Sequence, residues 1–294
     1  MKIATWNINS VRLRIDIVLQ FLETHKPDIL ALQETKSPDE FFPIKSFEKI
    51  GYKHTVFSGE KSYNGVAIVS RIPIKHIKTE KFVNADKRHI SCELPDGIEF
   101  HNFYVPAGGD IPDVKLNPKF AHKLDFVDKM TGFFSEFSTH PLRSTPLNSS
   151  PLAGEVRRGG ALRLPSQGGV KPSKPIIIVG DFNIAPYEQD VWSHKQLLDV
   201  VSHTPIEVEK LNNLKSSLDW VDVMREFVSP DEKLYSWWSY RNRDWKKSNR
   251  GRRLDHIWIT PGLKPSLKSG SILKEARDFK KPSDHVPVIV ELAL

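Results

Sequence analysis

The chain has 294 residues, of which 39% are hydrophobic and 27% are charged. A chain of this length and apolar content can bury a substantial core, which excludes wholesale disorder. The single cysteine, Cys92, excludes a disulfide framework or a cysteine-based zinc site within one chain. The N-terminus turns polar after a few residues and no run is long and apolar enough to cross a membrane, so we expect a soluble protein in a reducing compartment.

Residues 139–175 differ in composition from the rest of the chain. They contain six prolines, five glycines and five serines, and no aromatic side chain. Such a stretch buries too little apolar surface to offset the entropy of ordering, which predicts a disordered or loosely draped loop. It carries most of the net charge of +7, so the overall charge is weak support for nucleic-acid binding. A basic DNA tether and an inert insertion both remain open, and the scattered charges favour the inert insertion. We expect residues 1–294 to form one domain that this insert interrupts.

The remaining chain alternates strand and helix patterns. Helical spacing of apolar residues predicts a helix from Val11 to Leu22, with Ser10 as its cap, and a later helix over 120–137. Short apolar runs predict strands, in chain order, at 2–6, 29–32, 52–58, 66–70, 74–78, 90–94, 98–105, 176–179, 257–259 and 288–292. This mixture predicts two packed mixed sheets covered by helices.

Several predicted strands end abruptly in polar residues. Asn7, Glu34 and Asp181 follow three of these strands, whereas Asp255 and Asp284 precede two others. Buried carboxylates are unfavourable unless they are paired or liganded, and ligands gather at the carboxyl ends of strands in open sheets. If the last two strands run antiparallel to the first three, all five positions meet at one edge.

Such a cluster supports a limited chemistry. Each residue alone has an ordinary explanation as a cap, a turn or a salt bridge, but their joint placement favours a functional site. The set is rich in oxygen and contains no sulfur, which selects Mg²⁺ or Mn²⁺ over zinc. A metal, a carboxylate base and the imidazole of His285 together are suited to phosphodiester hydrolysis.

Six motifs in a fixed order identify a family resemblance. They are Thr5-Trp6-Asn7-Ile8-Asn9, Leu32-Gln33-Glu34-Thr35-Lys36, Asn102-Phe103-Tyr104-Val105-Pro106, Gly180-Asp181-Phe182-Asn183-Ile184, Arg253-Leu254-Asp255-His256 and Lys281-Pro282-Ser283-Asp284-His285-Val286-Pro287. Outside the insert, the chain resembles the bacterial exonuclease III and abasic-site endonucleases of the endonuclease/exonuclease/phosphatase superfamily. The resemblance implies a four-layer α/β sandwich of the DNase I-like class, with two packed mixed β-sheets flanked by helices and the active site at one end of the sheets.

The resemblance also implies roles for the clustered residues. Glu34 is expected to be the main metal ligand, with Asn7 and Asp284 nearby, while Asp181 and Asn183 are candidates for a second metal position. Asp181 is expected to activate or position water, and Asp255 to orient His285 as the carboxylate of a triad does. The catalytic residues implied in this way are Tyr104, Asp181, Asn183, Asp255 and His285.

The segment from Tyr235 to Leu254 favours DNA over another phosphoester. Seven basic groups lie between residues 240 and 253, and aromatic side chains alternate with them. Basic groups neutralise backbone phosphates and aromatic faces stack on bases or sugars, although some of these aromatics belong to an ordinary core strand. By the resemblance, Trp237 and Leu254 line a pocket for a flipped abasic sugar, and Arg252 replaces a large apolar residue of some relatives. The DNA-binding candidates are Arg88, Trp237, Arg241, Arg250, Arg252 and Leu254.

We therefore expect a Mg²⁺-dependent DNA-repair nuclease, with Mn²⁺ as a substitute ion. Its expected substrates are double-stranded DNA with abasic sites or blocked 3′ ends, and its expected state is a cytoplasmic bacterial monomer that meets the nucleoid through DNA. Two alternatives remain open. One is a phosphatase or phosphodiesterase of the same superfamily that acts on a small or lipid phosphoester, and the other is a catalytically silent DNA-binding module.

Overall fold

The computed structural model describes residues 1–77, 86–138, 174–242 and 244–294. The strands are β1 Lys2–Asn7, β2 Ile29–Gln33, β3 His54–Ser58, β4 Val66–Ser70, β5 Lys75–Ile77, β6 His89–Glu93, β7 Glu99–Tyr104, β8 Ile176–Asp181, β9 Val221–Asp222, β10 Trp237–Trp238, β11 Gly251–Arg252, β12 Asp255–Ile259, β13 Leu267–Ile272 and β14 Val288–Leu292. The helices are α1 Ile15–His25, α2 Ile44–Lys49, α3 Pro118–Ser135, α4 His194–Leu197, α5 Pro205–Ser217, α6 Val223–Phe227 and α7 Trp245–Ser248.

Two mixed six-stranded sheets form the centre of the molecule. Sheet A has the strand order β13-β14-β1-β2-β4-β3, and sheet B has the order β5-β6-β7-β8-β12-β9. In sheet A, β1 is parallel to β2 and antiparallel to β14. In sheet B, β8 is parallel to β7 and antiparallel to β12. The expected antiparallel orientation of the last strands is therefore confirmed, and it brings the polar strand ends to one edge.

Three apolar clusters define four layers. The cluster between the sheets includes Ile3 and Ile68 from sheet A and Phe100 and Val179 from sheet B. On the outer face of sheet A, Trp6 and its neighbours pack against the buried side chains of α1 and α2. On the outer face of sheet B, the strands pack against α3 and α5. The expected α/β sandwich of two mixed sheets flanked by helices is confirmed.

The start of the first helix was predicted wrongly. The helix begins at Ile15, not at Val11, and no side chain caps it. The backbone N–H groups of Ser10 and Val11 donate to the carbonyl oxygens of Glu34 and Thr35, at 2.7 and 3.0 Å. These bonds tie the chain to the end of β2, so the apolar Val11 is buried by a loop rather than by a helix.

The ten predicted strands correspond to observed strands, with boundaries that differ by at most two residues, whereas β9, β10, β11 and β13 were not predicted. The second predicted helix is observed as α3, which starts and ends two residues earlier than predicted. The proposed loop at 139–175 lies almost wholly outside the described residues. Within the part of the chain that the structure describes, no helix is long and apolar enough to cross a lipid bilayer.

Candidate active site

Five polar strand ends converge at one edge of the two sheets. Asn7 ends β1, Glu34 directly follows β2, and Asp181 ends β8. Asp255 begins β12 opposite Asp181 in the antiparallel register, and His285 lies just before β14. The sheet pairing therefore brings together residues that are up to 278 positions apart in sequence.

The end of strand β8 needs a glycine. Gly180 has φ of +137°, and a Cβ atom there would lie 1.9 Å from the backbone oxygen of Phe103. A side chain at this position would push β8 away from β7, since the obstacle is backbone. Gly180 thereby allows Asp181 to emerge at the sheet edge beside Tyr104, its register partner.

A line of three buried groups connects Asp181, His285 and Asp255. The Nδ1 atom of His285 lies 2.8 Å from Oδ2 of Asp255, and its Nε2 atom lies 3.7 Å from Oδ2 of Asp181. The hydroxyl of Ser236 donates to the same Asp255 oxygen at 2.6 Å. Asp255 therefore fixes the orientation of the imidazole and directs Nε2 towards Asp181.

These contacts shift the pKa values of both ends of the line. Burial disfavours the charged form of His285, but Asp255 and Asp181 outweigh it and raise the pKa of His285 to about 10. Burial also raises the pKa of Asp181 to about 7, with a further upward push from Asp255, while His285 opposes the shift. The ligand atoms of Asp181, Asp255 and His285 lie within 4.8 Å of one another, which is close enough for a metal site. Protonated His285, however, has no lone pair to offer a metal. The cluster is therefore better suited to proton transfer than to metal binding.

Asn183 and Asn7 hold the carboxylate of Asp181 from two sides. The backbone N–H of Asn183 donates to Oδ1 at 2.9 Å and its side-chain amide donates to Oδ2 at 3.1 Å. The amide of Asn7 donates to Oδ2 at 2.9 Å. Together these donors leave the carboxylate of Asp181 little rotational freedom.

A second group of oxygen atoms surrounds Glu34. Its Oε1 accepts hydrogen bonds from the Asn7 amide at 3.0 Å and from the Tyr104 hydroxyl at 2.7 Å. Burial works to raise the pKa of Glu34, but Lys36 and these donors outweigh it and hold the pKa below its ordinary value. Glu34 is therefore ionised at neutral pH, and Tyr104 directly contacts it.

The oxygen atoms near Glu34 suit a hard divalent cation. The ammonium group of Lys36 lies 2.7 Å from Oε2 of Glu34 and 2.8 Å from Oδ1 of Asn9, so it acts as a stand-in cation between these oxygens. Carboxylate and amide oxygens are the ligands that Mg²⁺ and Mn²⁺ prefer. The residues that could hold such an ion are Glu34 and Asn7, with Asp181 adjoining.

Asp284 lies apart from that donor group. Its carboxylate accepts a hydrogen bond from the indole N–H of Trp237 at 3.0 Å and from the amide of Asn9 at 3.2 Å. Burial alone would raise the pKa of Asp284, but His285 and Trp237 keep it below the ordinary value. Among the contacts of the described residues, Asp284 thus reaches the Glu34 group indirectly, through Asn9 and Ser283.

A cleft of about 660 Å³ opens over these residues. Glu34, Asn183, Asp284 and His285 lie in its wall. The wall also contains most of the predicted DNA-binding residues, namely Trp237, Arg241, Arg250, Arg252 and Leu254. A cationic and an aromatic side chain stack in this wall, where the Arg250 guanidinium lies 4.7 Å from the centre of the Trp192 ring.

Arg88 is the exception among these predicted residues. It pairs with Asp86 at 3.0 Å, and its guanidinium lies 4.7 Å from the centre of the Tyr104 ring. It therefore lies behind Tyr104 and is absent from the described wall of the cleft.

Three polar residues at the site were missed by the sequence reasoning. Lys36 lies within one of the six motifs, but no role was predicted for it. Ser236 lies within the aromatic segment, where no pattern distinguishes it. Lys123 is fully buried on α3, where its ammonium donates to the Asn183 carbonyl at 2.8 Å and pairs with Glu207. A lysine in a helix sequence gives no signal for this arrangement, since most such lysines face solvent.

The chain is similar over its whole length to known nucleases. It is 27% identical to exodeoxyribonuclease III of Haemophilus influenzae over 307 residues, which cover 99% of each chain. An AP endonuclease from Archaeoglobus fulgidus superposes with a TM-score of 0.82 and 29% identity, with full coverage of both chains. The 3′ phosphatase NExo from Neisseria, solved with a product DNA hairpin, gives the same TM-score, identity and coverage. Residues 4–285 match the endonuclease/exonuclease/phosphatase family, and the chain therefore belongs to that family.

Proposed function

We propose that this protein is a Mg²⁺-dependent DNA-repair nuclease. It hydrolyses the phosphodiester on the 5′ side of an abasic site in duplex DNA and leaves a 3′-hydroxyl. The same site removes 3′-phosphates and other 3′ blocks and degrades duplex DNA from its 3′ end. It works as a cytoplasmic monomer that meets the nucleoid through its DNA substrate. The observation that carries the proposal is the Asp255–His285–Asp181 line beside ionised Glu34 at the base of a cationic cleft.

Asp181 acts as the general base in this proposal. Its carboxylate is held by Asn7 and Asn183 and has a pKa near 7, which is suited to taking a proton from water at neutral pH. The water oxygen forms a bond to phosphorus, and the bond from phosphorus to the 3′ oxygen breaks. The proton of the water goes to Asp181, and the 3′ oxygen leaves with the electron pair of the broken bond. It takes a proton from solvent to become the 3′-hydroxyl.

His285 stabilises the charge that develops on the phosphoryl oxygens. Its imidazolium is kept protonated by Asp255 and presents Nε2–H towards the same position as Asp181. A preorganised donor in a buried site stabilises developing negative charge more strongly than water does. Tyr104 would be a second donor to these oxygens once its hydroxyl, which now donates to Glu34, turns towards the phosphate.

Glu34 and Asn7 would hold the Mg²⁺ ion, or Mn²⁺ in its place, and Asp284 would support the ion through Asn9. When bound, the ion supplies Lewis-acid stabilisation of a phosphate oxygen. Asp181 and Asn183 are the candidates for a second ion. The ammonium group of Lys36 contacts both Glu34 and Asn9, so it must move away when the ion binds.

The cleft wall supports DNA as the substrate. Arg241 and Arg250 supply positive charge for backbone phosphates, and Trp192 and Trp237 supply flat faces beside the reacting groups. A baseless nucleotide leaves the duplex more easily than a paired one, which favours cleavage at lesions. The relatives with solved structures include an AP endonuclease and a 3′ phosphatase, which agree with both proposed reactions.

The test compares three duplexes with the purified protein, in Mg²⁺ and in EDTA. One duplex has a single abasic site, one is its undamaged twin, and one has a nick that ends in a 3′-phosphate. The proposal predicts Mg²⁺-dependent incision at the lesion and release of the 3′-phosphate, without equal internal nicking of the twin. An absence of DNA cleavage, combined with hydrolysis of a small or lipid phosphoester, would instead support the phosphatase alternative.

A further inference from the structure

Arg252 crosses the cleft from one wall to the other. It lies on β11, opposite Trp237 in the antiparallel register. Its Nη1 donates to the Val201 carbonyl at 3.0 Å and to the Ser202 hydroxyl at 2.7 Å, and its guanidinium lies 5.4 Å from the centre of the Trp237 ring. The side chain therefore bridges Trp237 and the facing loop.

The facing loop is a rigid anchor for this bridge. Both carboxylate oxygens of Glu207 accept from the Ser202 backbone N–H, at 3.0 and 2.9 Å. The Ser202 carbonyl accepts from the Ala185 N–H at 2.8 Å, and Glu207 is neutralised by fully buried Lys123. Since these bonds hold the loop from behind, we expect the cleft to open here through movement of Arg252.

One hydrogen-bond donor of Arg252 has no acceptor in the bridging position. Its Nε–H is buried and has no hydrogen-bond partner among the described residues. A buried donor without an acceptor costs free energy, which offsets part of the gain from the two hydrogen bonds and the aromatic stack. The closed position is thus held weakly enough for a ligand to displace it.

The surface beneath Arg252 is apolar and adjoins the reacting groups. Leu254 and Leu197 are buried there and pack with Trp192 and Trp237. His285 and Asn183 lie in the wall of the same cleft. The carbon faces of an extruded deoxyribose that has no base fit such a slot, whereas a 3′-phosphate at a strand end reaches His285 without any extrusion.

We propose that Arg252 is a specificity-determining residue that closes this slot. An internal abasic nucleotide must displace Arg252 before it is cleaved, and a 3′-phosphate does not. The protein therefore favours blocked 3′ ends over internal abasic sites. This inference rests on the proposed nuclease function and deepens it.

The test measures two substrates in Mg²⁺ with the full-length protein. One is a duplex with an internal tetrahydrofuran abasic analogue, and the other is a duplex with a nick that ends in a 3′-phosphate. The readout is the ratio of the two kcat/KM values, abasic over 3′-phosphate. In Arg252→Leu this ratio rises about tenfold, the size expected when two hydrogen bonds and a cation–π contact no longer hold the slot closed.

Two further variants control the measurement. Arg250→Leu removes the same charge from the same cleft, so it lowers both rates and leaves the ratio within about twofold of the wild type. Ser202→Ala removes one acceptor of the bridge, and it raises the ratio about threefold even if Arg252→Leu folds poorly.

The outcomes separate the two proposals. A ratio that stays unchanged or falls in both Arg252→Leu and Ser202→Ala overturns the closing role and leaves the nuclease function standing. The same holds if every variant releases 3′-phosphate and none cleaves the abasic duplex. Failure of all variants on both duplexes overturns the proposed function and the closing role with it.

Discussion

Replacement of Asp255 by asparagine tests the charge balance of the site. The pKa of His285 rises from an ordinary 6.5 to about 10, which corresponds to about 5 kcal/mol of preference for the imidazolium. Burial opposes this rise, and the carboxylates that cause it are Asp255 first, then Asp181 and Asp284. Since Asp255 also contacts Nδ1 directly at 2.8 Å, we assign it about half of the effect, roughly 2–3 kcal/mol. Asp255→Asn should therefore lower kcat by about 30- to 150-fold.

The assay is the pH dependence of kcat for 3′-phosphate release in saturating Mg²⁺. Asparagine keeps the shape of the side chain and its contact with Ser236, but the pKa of His285 falls by about half of its rise. Activity of the variant should then decline at a lower pH than that of the wild type, because the imidazole of the variant loses its proton first. Ser236→Ala retains the Asp255 charge and should lose less than about tenfold. A kcat for Asp255→Asn within threefold of the wild type, with the same pH profile, would refute this reasoning.

Three further predictions concern the metal and the stability of the fold. Glu34→Gln should raise the Mg²⁺ concentration for half-maximal activity by at least about tenfold, measured by Mg²⁺ titration, because it removes the charged ligand; an unchanged midpoint would exclude Glu34 as a ligand. Burial, with a contribution from Arg253, lowers the pKa of His256 to about 4, so the unfolded chain binds more protons between pH 6.5 and pH 4. The contribution of His256 to the free energy of unfolding should therefore fall by about 3 kcal/mol as pH drops through this range. It is measured in urea titrations as the difference between the wild type and His256→Gln, because the raised pKa of Asp181 acts in the opposite direction in both proteins; a difference that does not change with pH would contradict the shift. Lys123→Met leaves Glu207 buried without its partner and should lower the free energy of unfolding by about 3–5 kcal/mol. The control Lys119→Met, on the exposed side of the same helix, should change the free energy of unfolding by less than about 0.5 kcal/mol. Equal effects of the two variants would show that the buried pair contributes little.

The sheets and their polar edge could be predicted from the sequence because local patterns determine them. Short apolar runs that end in Asn7, Glu34 and Asp181 identify both the strands and the side chains at their ends. For Asp255 and Asp284, the sequence left open the direction of the strands that follow them. The structure shows that these strands, β12 and β14, run antiparallel to β8 and β1. Chemistry at strand ends can therefore be inferred before the fold is known.

Other features depend on contacts between distant segments that have no local pattern. The helix was predicted to start at Val11, but the backbone of Arg14 lies outside the helical region, with φ of −119° and ψ of 18°, so the helix starts only after it. The bridging position of Arg252 depends on the 201–202 loop, which Glu207 and Lys123 hold from two helices. A helix was predicted around Lys123 but none around Glu207, and the packing of α3 against α5 brings the two residues together.

The most direct test of the catalytic account is the single-turnover rate of incision at one abasic site by Asp181→Asn in Mg²⁺. Asparagine preserves the size of the side chain but cannot accept the proton of the attacking water. The account predicts a rate about 10²- to 10⁴-fold below the wild type, as expected for loss of a general base. A rate close to that of the wild type, in a variant with the same thermal stability, would contradict the assignment of Asp181 and the mechanism built on it.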